Sequence, residues 1–300
     1  MNKFDIASRG KLWFIISLII IIPGFFCMGI RGFNFGIDFT GGTIIDLKFD
    51  NPVTVAKVRE GLRPFGMDSA TIQLSGEESG VEASESVMIR TADMEEEQRK
   101  EVMAALKESV GNYTVMREEK VGAVIGSELI LNAVEALVVS WILIIAYVAY
   151  RFEWRFGVSA VLALVHDIII VLVVFSITQR QIDSSFVAAL LTIVGYSIND
   201  TIVIFDRIRE NLKLHFKRDG NIFELVNRSI YQTLRRSLYT VFTVLFTTFA
   251  LYFFGGETTK DFAFALLIGF ASGCYSSIFI ASPLWIYFKN RDAKKKRKLA

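Results

Sequence analysis

Residues 195–211 read GYSINDTIVIFDRIREN, and the first half of this stretch continues an apolar run that begins near Phe186. A run of this length predicts a membrane-spanning helix, which needs about 20 residues. Asp200 lies inside the run, next to Asn199 and more than one turn before the charged residues at its end. A carboxylate in a bilayer costs roughly 2.5–3.5 kcal/mol, so such residues usually face a protein interior or a wet cavity and handle protons, ions or substrate. The alternative is a structural polar contact between helices.

The composition predicts a membrane protein with several spans. The chain has 300 residues, of which 52% are hydrophobic, and a formal net charge of +2. It is too apolar for one soluble domain, and its net charge does not predict a nucleic-acid partner. Cys27 and Cys274 both lie in apolar runs, which predicts buried hydrophobic positions rather than a disulfide framework. Two histidines without a Cys/His cluster predict neither a metal site nor a cofactor.

Six apolar runs predict six transmembrane helices. The first run continues past the length of a signal peptide and lacks a cleavage site, so we interpret it as a helix. Loops rich in Lys and Arg alternate with loops that carry one each, and this asymmetry places both termini in the cytosol. The predicted segments are a cytoplasmic N-terminus at 1–11, a span at 12–30, an extracytoplasmic domain at 31–126, spans at 129–150, 156–177 and 186–205, a cytoplasmic loop at 206–237, spans at 238–254 and 262–288, and a basic cytoplasmic tail at 289–300.

The polar block between the first two spans predicts a small α+β domain. Its elements follow the order β-α-β-β-α-β, which is that of a ferredoxin-like unit. The block has few pairs of residues typical of catalysis, so we expect a docking or substrate-touching domain and not an enzyme. Asp93 is the expected cap of the second helix. Strands are predicted at 43–49, 70–74, 86–90 and 113–120, and helices at 54–63 and 93–110.

Polar side chains in other spans predict a site that handles protons. His166 and Asp167 lie in the middle of the third span, and Arg235 and Arg236 stand at the start of the fifth. Burial favours the neutral form of a carboxyl group, whereas a nearby arginine favours the charged form. Movement of an arginine toward or away from Asp200 would therefore load or unload a proton. A polar stripe that could hold water follows in the fifth span, at Thr240, Thr243 and Thr247.

Other interpretations of these residues stay open. The arginines are also typical anchors at the membrane surface, and threonines often bond back to their own helix. Asp167 and Asp200 could form an aspartyl protease dyad, but that hypothesis requires a glycine beside the second aspartate, where Asn199 stands. Gly269 and Gly273 in the sixth span predict a close approach of two helices.

Four stretches together resemble the SecF family of the SecDF protein-export complex, within the resistance–nodulation–division superfamily. They are GIDFTGGT at 36–43, RFEWR at 151–155, ALVHD at 163–167 and the stretch at 195–211. The resemblance covers nearly the whole chain. It implies six helices with a ferredoxin-like extracytoplasmic domain, in a multi-pass protein of the bacterial cytoplasmic membrane. It also implies a non-enzymatic role in which the proton-motive force promotes protein translocation.

The resemblance implies partners and site residues as well. SecD would complete a pseudo-symmetric pair and supply a further carboxylate, and the complex would bind the SecYEG channel, a YajC-like subunit and the translocating preprotein. The family's essential aspartate falls on Asp200 and its essential arginine on Arg236, with Arg235 a weaker candidate. Many relatives fuse SecD and SecF. Because this chain has its own short basic N-terminus and only six predicted spans, we expect it to be the unfused form and inert alone.

Two other classes of function serve as alternatives. Half of a small-molecule exporter of the same superfamily should carry a much larger external domain with a ligand pocket. A purely structural scaffold for the channel would not need an acid in mid-membrane. The Asp200→Asn variant distinguishes the hypothesis of a structural scaffold from that of a proton-coupled subunit.

Overall fold

The computed structural model describes residues 5–67, 70–75, 83–215 and 220–299. The chain divides into two compact units, of which the larger comprises Met1–Asn34 and Glu135–Ala300 and the smaller comprises Phe35–Val134. The α-helices and strands of the chain, in order, are α1 Gly10–Arg31, β1 Asn34–Phe35, α2 Ile37–Thr40, β2 Gly42–Val53, α3 Val55–Leu62, β3 Thr71–Ser75, β4 Ser84–Thr91, α4 Glu96–Ser109, β5 Tyr113–Val121, α5 Ala123–Arg151, α6 Trp154–Thr178, β6 Gln181–Ile182, α7 Ser184–His215, α8 Ile222–Phe254, α9 Glu257–Ser276 and α10 Ser282–Leu299.

The chain is mostly helical. Six of the helices in the described part of the chain are long and apolar enough to cross a membrane, which agrees with the six predicted spans. The last of these continues from α9 through one π-helical stretch, Ser277–Ala281, into α10. Short π-helical stretches inside α-helices occur frequently at functional sites. The six long apolar helices make the protein a multi-pass membrane protein.

Two of the predicted loops are largely helical. The segment predicted as a loop at 206–237 belongs to α7 as far as His215 and to α8 from Ile222 onward. Arg207 pairs with Glu210 one turn later at 2.5 Å, and the Asn221 side chain caps α8 by accepting from Phe223 N at 3.0 Å. The apolar run ends where the bilayer would end, but good helix formers and caps carry the helix further. The predicted tail is likewise helical, because α10 continues to Leu299.

The larger unit is organised around α9, which packs against α6, α7 and α8. Part of its core is aromatic, with the fully buried rings of Phe156 and Trp285 stacked at 4.8 Å and Phe205 at 4.8 Å from Phe156. By contrast, α5 and α8 bury few residues in their apolar spans, among them Val148 of α5 and Val241 of α8. The outward faces of these two helices are apolar, as lipid or a partner helix requires.

The smaller unit contains one antiparallel sheet. Its strand order is β3-β4-β2-β5, and its chain order is the predicted β-α-β-β-α-β. Leu47 on β2 stands opposite Val87 on β4, and both side chains are buried. α3 packs against α4, and Val58 and Leu106 complete the same apolar core. Hydrophobic burial of this core is the main term that holds the small unit together.

Two local features of the smaller unit differ from expectation. The predicted Asp93 cap is wrong: α4 begins at Glu96, and the Asp93 carboxylate instead pairs with Lys120 at 2.8 Å. The short helix α2 was not predicted, and it leads directly into two glycines. Gly42 has φ 132°, and a Cβ there would lie 2.4 Å from the carbonyl oxygen of Thr91. Only glycine fits that position, which explains why β2 begins with glycine.

Candidate functional site

Asp200 lies on α7 with 8% of its surface exposed. Its Oδ1 accepts a hydrogen bond of 2.6 Å from the hydroxyl of Ser237 on α8, a residue that is fully buried. Its Oδ2 is buried and has no hydrogen-bond partner within the described part of the chain. A buried acceptor without a partner is destabilising by about 1–3 kcal/mol, more if it is charged. The carboxyl group is thus half-satisfied.

Arg236 precedes Ser237 directly and is solvent-exposed. Its charge acts electrostatically on Asp200. Among the ion pairs of the described residues, none joins these two side chains. Arg235 is engaged elsewhere, because its Nε donates to the hydroxyl of Tyr239 at 3.1 Å and its guanidinium lies 5.3 Å from the centre of that ring. Of the two arginines, Arg236 is therefore the one whose charge acts on Asp200.

Asp167 on α6 is fully buried and has a different environment. Its Oδ2 accepts hydrogen bonds from Ser197 on α7 at 2.7 Å and from Ser276 on α9 at 2.8 Å. Its Oδ1 accepts from Ser272 on α9 at 2.7 Å and lies 3.2 Å from Nδ1 of His166. Both carboxylate oxygens are thus satisfied, and one side chain joins three helices.

The imidazole of His166 extends this network to α1. Its Nε2 lies 2.9 Å from the hydroxyl of Ser17, which itself lies 3.4 Å from the hydroxyl of Tyr275. The Tyr275 hydroxyl donates to the carbonyl of Trp13 at 2.8 Å. His166 and Asp167 therefore belong to one polar network, which holds α1, α6, α7 and α9 together.

The structure separates the remaining predicted residues from Asp200. Asn199 is exposed on the neighbouring face of α7. The threonine stripe is also exposed, and each hydroxyl bonds back to its own helix, the alternative that the sequence left open. These bonds run from Thr240 to Arg236 O at 2.7 Å, from Thr243 to Thr240 O at 2.8 Å and from Thr247 to Thr243 O at 3.0 Å.

Gly269 and Gly273 lie against α7. A Cβ at Gly269 would stand 2.2 Å from Cδ1 of Ile193, and one at Gly273 would stand 2.9 Å from Cβ of Ser197. The backbones of α7 and α9 therefore approach as closely as small residues allow. This approach brings the serines of α9 within reach of the same carboxylate as Ser197.

The carboxyl groups of Asp167 and Asp200 do not form a dyad. Each is bonded to different serines, and no hydrogen bond joins them in the part of the chain that the structure describes. The described residues also contain no group of three or more His, Cys, Asp or Glu side chains placed to hold a metal ion. The geometry accordingly does not support the aspartyl protease dyad.

Sequence reasoning missed the serines that position both aspartates. Neither Ser237 nor Ser276 is among the site residues predicted from the sequence. The available signal was their spacing: Ser272 and Ser276 are four residues apart on α9, and Ser197 lies three residues before Asp200 on α7. A serine in an apolar span that shares a helix face with small residues is a candidate partner for a buried carboxylate.

Comparison with known proteins identifies the family. The family described as "Protein export membrane protein SecD/SecF, C-terminal" matches residues 101–291, and the "SecD/SecF GG Motif" matches residues 28–53. The chain is 49% identical to the "Protein translocase subunit SecF" of Acidaminococcus fermentans, over 97% of this chain and 99% of the relative. The chain belongs to the SecF family. The SecF protein of Calditerrivibrio nitroreducens is 42% identical over 96% of this chain and 95% of its own length.

A solved structure supports the same assignment. The crystal structure of SecDF from Thermus thermophilus, described as a translocon-associated membrane protein, shares 39% identity with this chain and superposes with a TM-score of 0.85. That match covers 96% of this chain and 39% of the SecDF chain, so the chain spans about two fifths of that relative. Membership of the SecF family gives the protein an accessory role in Sec-dependent protein transport, and the predicted family resemblance is confirmed.

Proposed function

We propose that this SecF-family chain is a proton-coupled subunit that works with SecD, and that Asp200 and Arg236 carry the coupling. The observation that supports this proposal is the environment of Asp200. It is a carboxyl group inside a candidate membrane span, and one of its buried oxygens lacks a partner among the described residues. The charge of Arg236, which forms no ion pair among the described residues, acts on it. Intramembrane acids of this kind mark proton or ion pathways by default.

Protonation relieves the cost of this environment. A proton on Oδ2 removes the buried charge and turns an unpaired acceptor into a hydroxyl group. When the Arg236 guanidinium approaches, the charged form regains its advantage and the proton leaves. Because Arg236 and Ser237 are adjacent on α8, any movement of α8 against α7 changes both contacts of Asp200 together. Proton binding and helix movement are therefore coupled by geometry.

The partner is SecD. Asn199 is a polar side chain exposed on a helix of the membrane unit, and a side chain of this kind usually faces a protein partner rather than lipid. The solved relative is a SecDF chain of which this chain matches about two fifths, so the remaining length accommodates a SecD part. We place the completed proton site at the interface between the two subunits, where SecD would add a carboxylate.

The setting follows from the charge pattern and the family. We place both termini on the cytoplasmic side of the bacterial cytoplasmic membrane and the smaller unit, as a ferredoxin-like domain, outside it. There it would contact the preprotein as it leaves the SecYEG channel, with a YajC-like subunit as a further partner. The role is non-enzymatic, because the proton-motive force supplies the driving energy.

Substitution of the acid by its amide tests the proposal. In a reconstituted complex with SecD, we expect Asp200→Asn to abolish both proton flux and proton-stimulated translocation while leaving assembly intact. Asp206→Asn is the matched control, since Asp206 is an exposed aspartate on the same helix. Proton flux and translocation at the level of the unmodified protein in Asp200→Asn would overturn the proposal and leave a structural scaffold.

A further inference from the structure

The segment of α7 around Asp200 is held at two points by α6 and α9. Three residues before Asp200, the Ser197 hydroxyl donates to Asp167 at 2.7 Å. One residue after it, the Thr201 hydroxyl shares a hydrogen bond of 2.7 Å with that of Ser277, the first residue of the π-helical stretch. Asp200 itself turns to α8 and Ser237. Because Ser197, Asp200 and Thr201 lie at i, i+3 and i+4, they share one broad face of α7, and the two hydrogen-bonded residues flank the acid.

These two hydrogen bonds restrict the rotation of α7. Ser197, Thr201 and Ser277 are all essentially fully buried, so water does not compete for their hydroxyl groups. At Gly273, α9 comes so close to Ser197 that even a single added carbon would stand 2.9 Å from its Cβ. A rotation of α7 would break the bond to Asp167 and drive these backbones together.

We infer that Asp167 is a positioning residue for Asp200. Through Ser197 it fixes the rotational setting of α7, and so the direction in which Asp200 presents Oδ2, while its two bonds to α9 anchor it to the rest of the bundle. In this arrangement the Asp167 network stays fixed during the cycle and α8 moves. This inference rests on the proposed function of Asp200, because positioning matters only if Oδ2 takes up a proton.

The groups that face each carboxyl are few. His166 on α6 contacts Asp167 directly. Cys274 on α9 lies within electrostatic range of both aspartates. Tyr196 on α7 and Arg236 on α8 act on Asp200. Among these four side chains, Arg236 carries the positive charge that attracts the Asp200 carboxylate. The position of α7 relative to α8 therefore controls the strength of this attraction.

Two serine variants separate positioning from general stability. Ser197→Ala and Ser276→Ala each remove one hydroxyl from the same oxygen of Asp167, at 2.7 Å and 2.8 Å, but only Ser197 lies on α7. Ser159→Ala is the neutral control, since Ser159 is a fully buried serine of α6 whose hydroxyl has no partner among the described residues.

The readout is the reaction of Asp200 with dicyclohexylcarbodiimide, which modifies protonated carboxyl groups, measured by mass spectrometry across a pH series in the full complex with SecD. We expect Ser197→Ala to change the labelling rate at a fixed pH by roughly threefold to tenfold and to shift the pH midpoint of labelling. Ser276→Ala should lower thermal stability by about as much as Ser197→Ala does. On a logarithmic scale, however, it should change the labelling rate by less than half as much as Ser197→Ala.

The outcomes distinguish the two proposals. If Asp200 of the unmodified complex labels without any pH dependence, the proton-coupling function is overturned, and the positioning role that rests on it is overturned as well. If labelling depends on pH but Ser197→Ala and Ser276→Ala change it equally, or if both match Ser159→Ala, the positioning role is overturned while the proposed function stands. Thermal denaturation of each purified complex shows whether a variant is folded.

Discussion

Asp167 and Asp200 are both buried acids in neighbouring helices, yet their surroundings are opposite. Asp167 accepts three serine hydroxyl bonds and contacts an imidazole, and its two oxygens are both used. Asp200 accepts one bond, from Ser237, and its second oxygen has no partner in the described part of the chain. The same residue type therefore joins three helices at one position and is only half-paired at the other.

The difference shows how a membrane protein can combine rigidity with proton handling. A carboxyl group whose oxygens are fully paired with hydroxyl donors gains nothing from movement, because every alternative breaks a hydrogen bond in a medium without water. A half-paired carboxyl group has two competing ways to improve its energy, by taking a proton or by meeting an arginine. Under the proposed function, the half-paired group is the one that couples a proton to a change of structure.

The largest expected effect is the loss of stability when Asp167, the fully hydrogen-bonded acid, is replaced. Asp167→Ala leaves three buried hydroxyl groups and an imidazole without their acceptor, so we expect the complex with SecD to lose about 3 kcal/mol of folding free energy. Thermal denaturation in detergent measures this. Asp206→Ala, at an exposed position of α7, should change it little. A loss below about 1 kcal/mol for Asp167→Ala would mean that its network does not hold the helices together.

The next effect tests the close approach that lets α9 reach Asp167. Gly269→Ala adds a Cβ that would stand 2.2 Å from Ile193 Cδ1, so we expect a loss of about 2 kcal/mol from overpacking. Gly29→Ala in α1 is the matched control, because a Cβ there has no atom within 4 Å. Equal denaturation temperatures for the two variants would show that α7 and α9 separate easily, and the contrast between the two acids would lose its structural basis.

A smaller effect on stability is expected at the half-satisfied acid. Asp200→Ala removes one hydrogen bond but also removes an unpaired buried acceptor, so the two contributions oppose each other and the net change should be less than about 1 kcal/mol. The same variant should abolish proton flux. Denaturation measured beside Asp167→Ala gives the comparison directly. A cost for Asp200→Ala as large as that for Asp167→Ala would place both acids in one structural class.

The smallest effect concerns a carboxyl group outside the membrane unit. Burial raises the pKa of Asp46 in β2 above its ordinary value of 3.8, although Arg117 and Arg90 act in the opposite direction. The folded state then binds a proton more tightly than the unfolded state, so its stability falls as pH rises from about 3.8 through the raised folded pKa. Asp46→Asn should remove this slope in pH-dependent thermal denaturation. A stability that instead rises with pH over this window, relative to Asp46→Asn, would contradict the assignment.

Much of the architecture follows from local pattern. Six apolar runs predicted six long helices, and alternating residues such as Ile45 and Leu47 predicted the central strand, because burial imposes its period on sequence. The ends of elements were predicted less well. Asp93 has the sequence of a helix cap but pairs with Lys120 from another strand, and α7 continues beyond the apolar run because its charged residues also favour helix.

The candidate site divides in the same way. Asp200 could be singled out from sequence, because an acid in an apolar span is costly enough to require a purpose. Its serine partner could not, because serine is common in membrane helices and its hydroxyl often bonds to its own backbone. The threonine stripe shows the converse, since three well-spaced hydroxyl groups turn out to bond within α8.

Sequence alone therefore predicted six membrane-spanning helices and singled out the acid in the fourth, because transfer free energies favour apolar residues in a span and make a carboxylate there costly. Only the tertiary structure decided which acid has both oxygens paired and which has one oxygen without a partner among the described residues. That distinction depends on hydroxyl groups from other helices, and whether Ser197 meets Asp167 or Ser237 meets Asp200 is set by how closely α7, α8 and α9 pack.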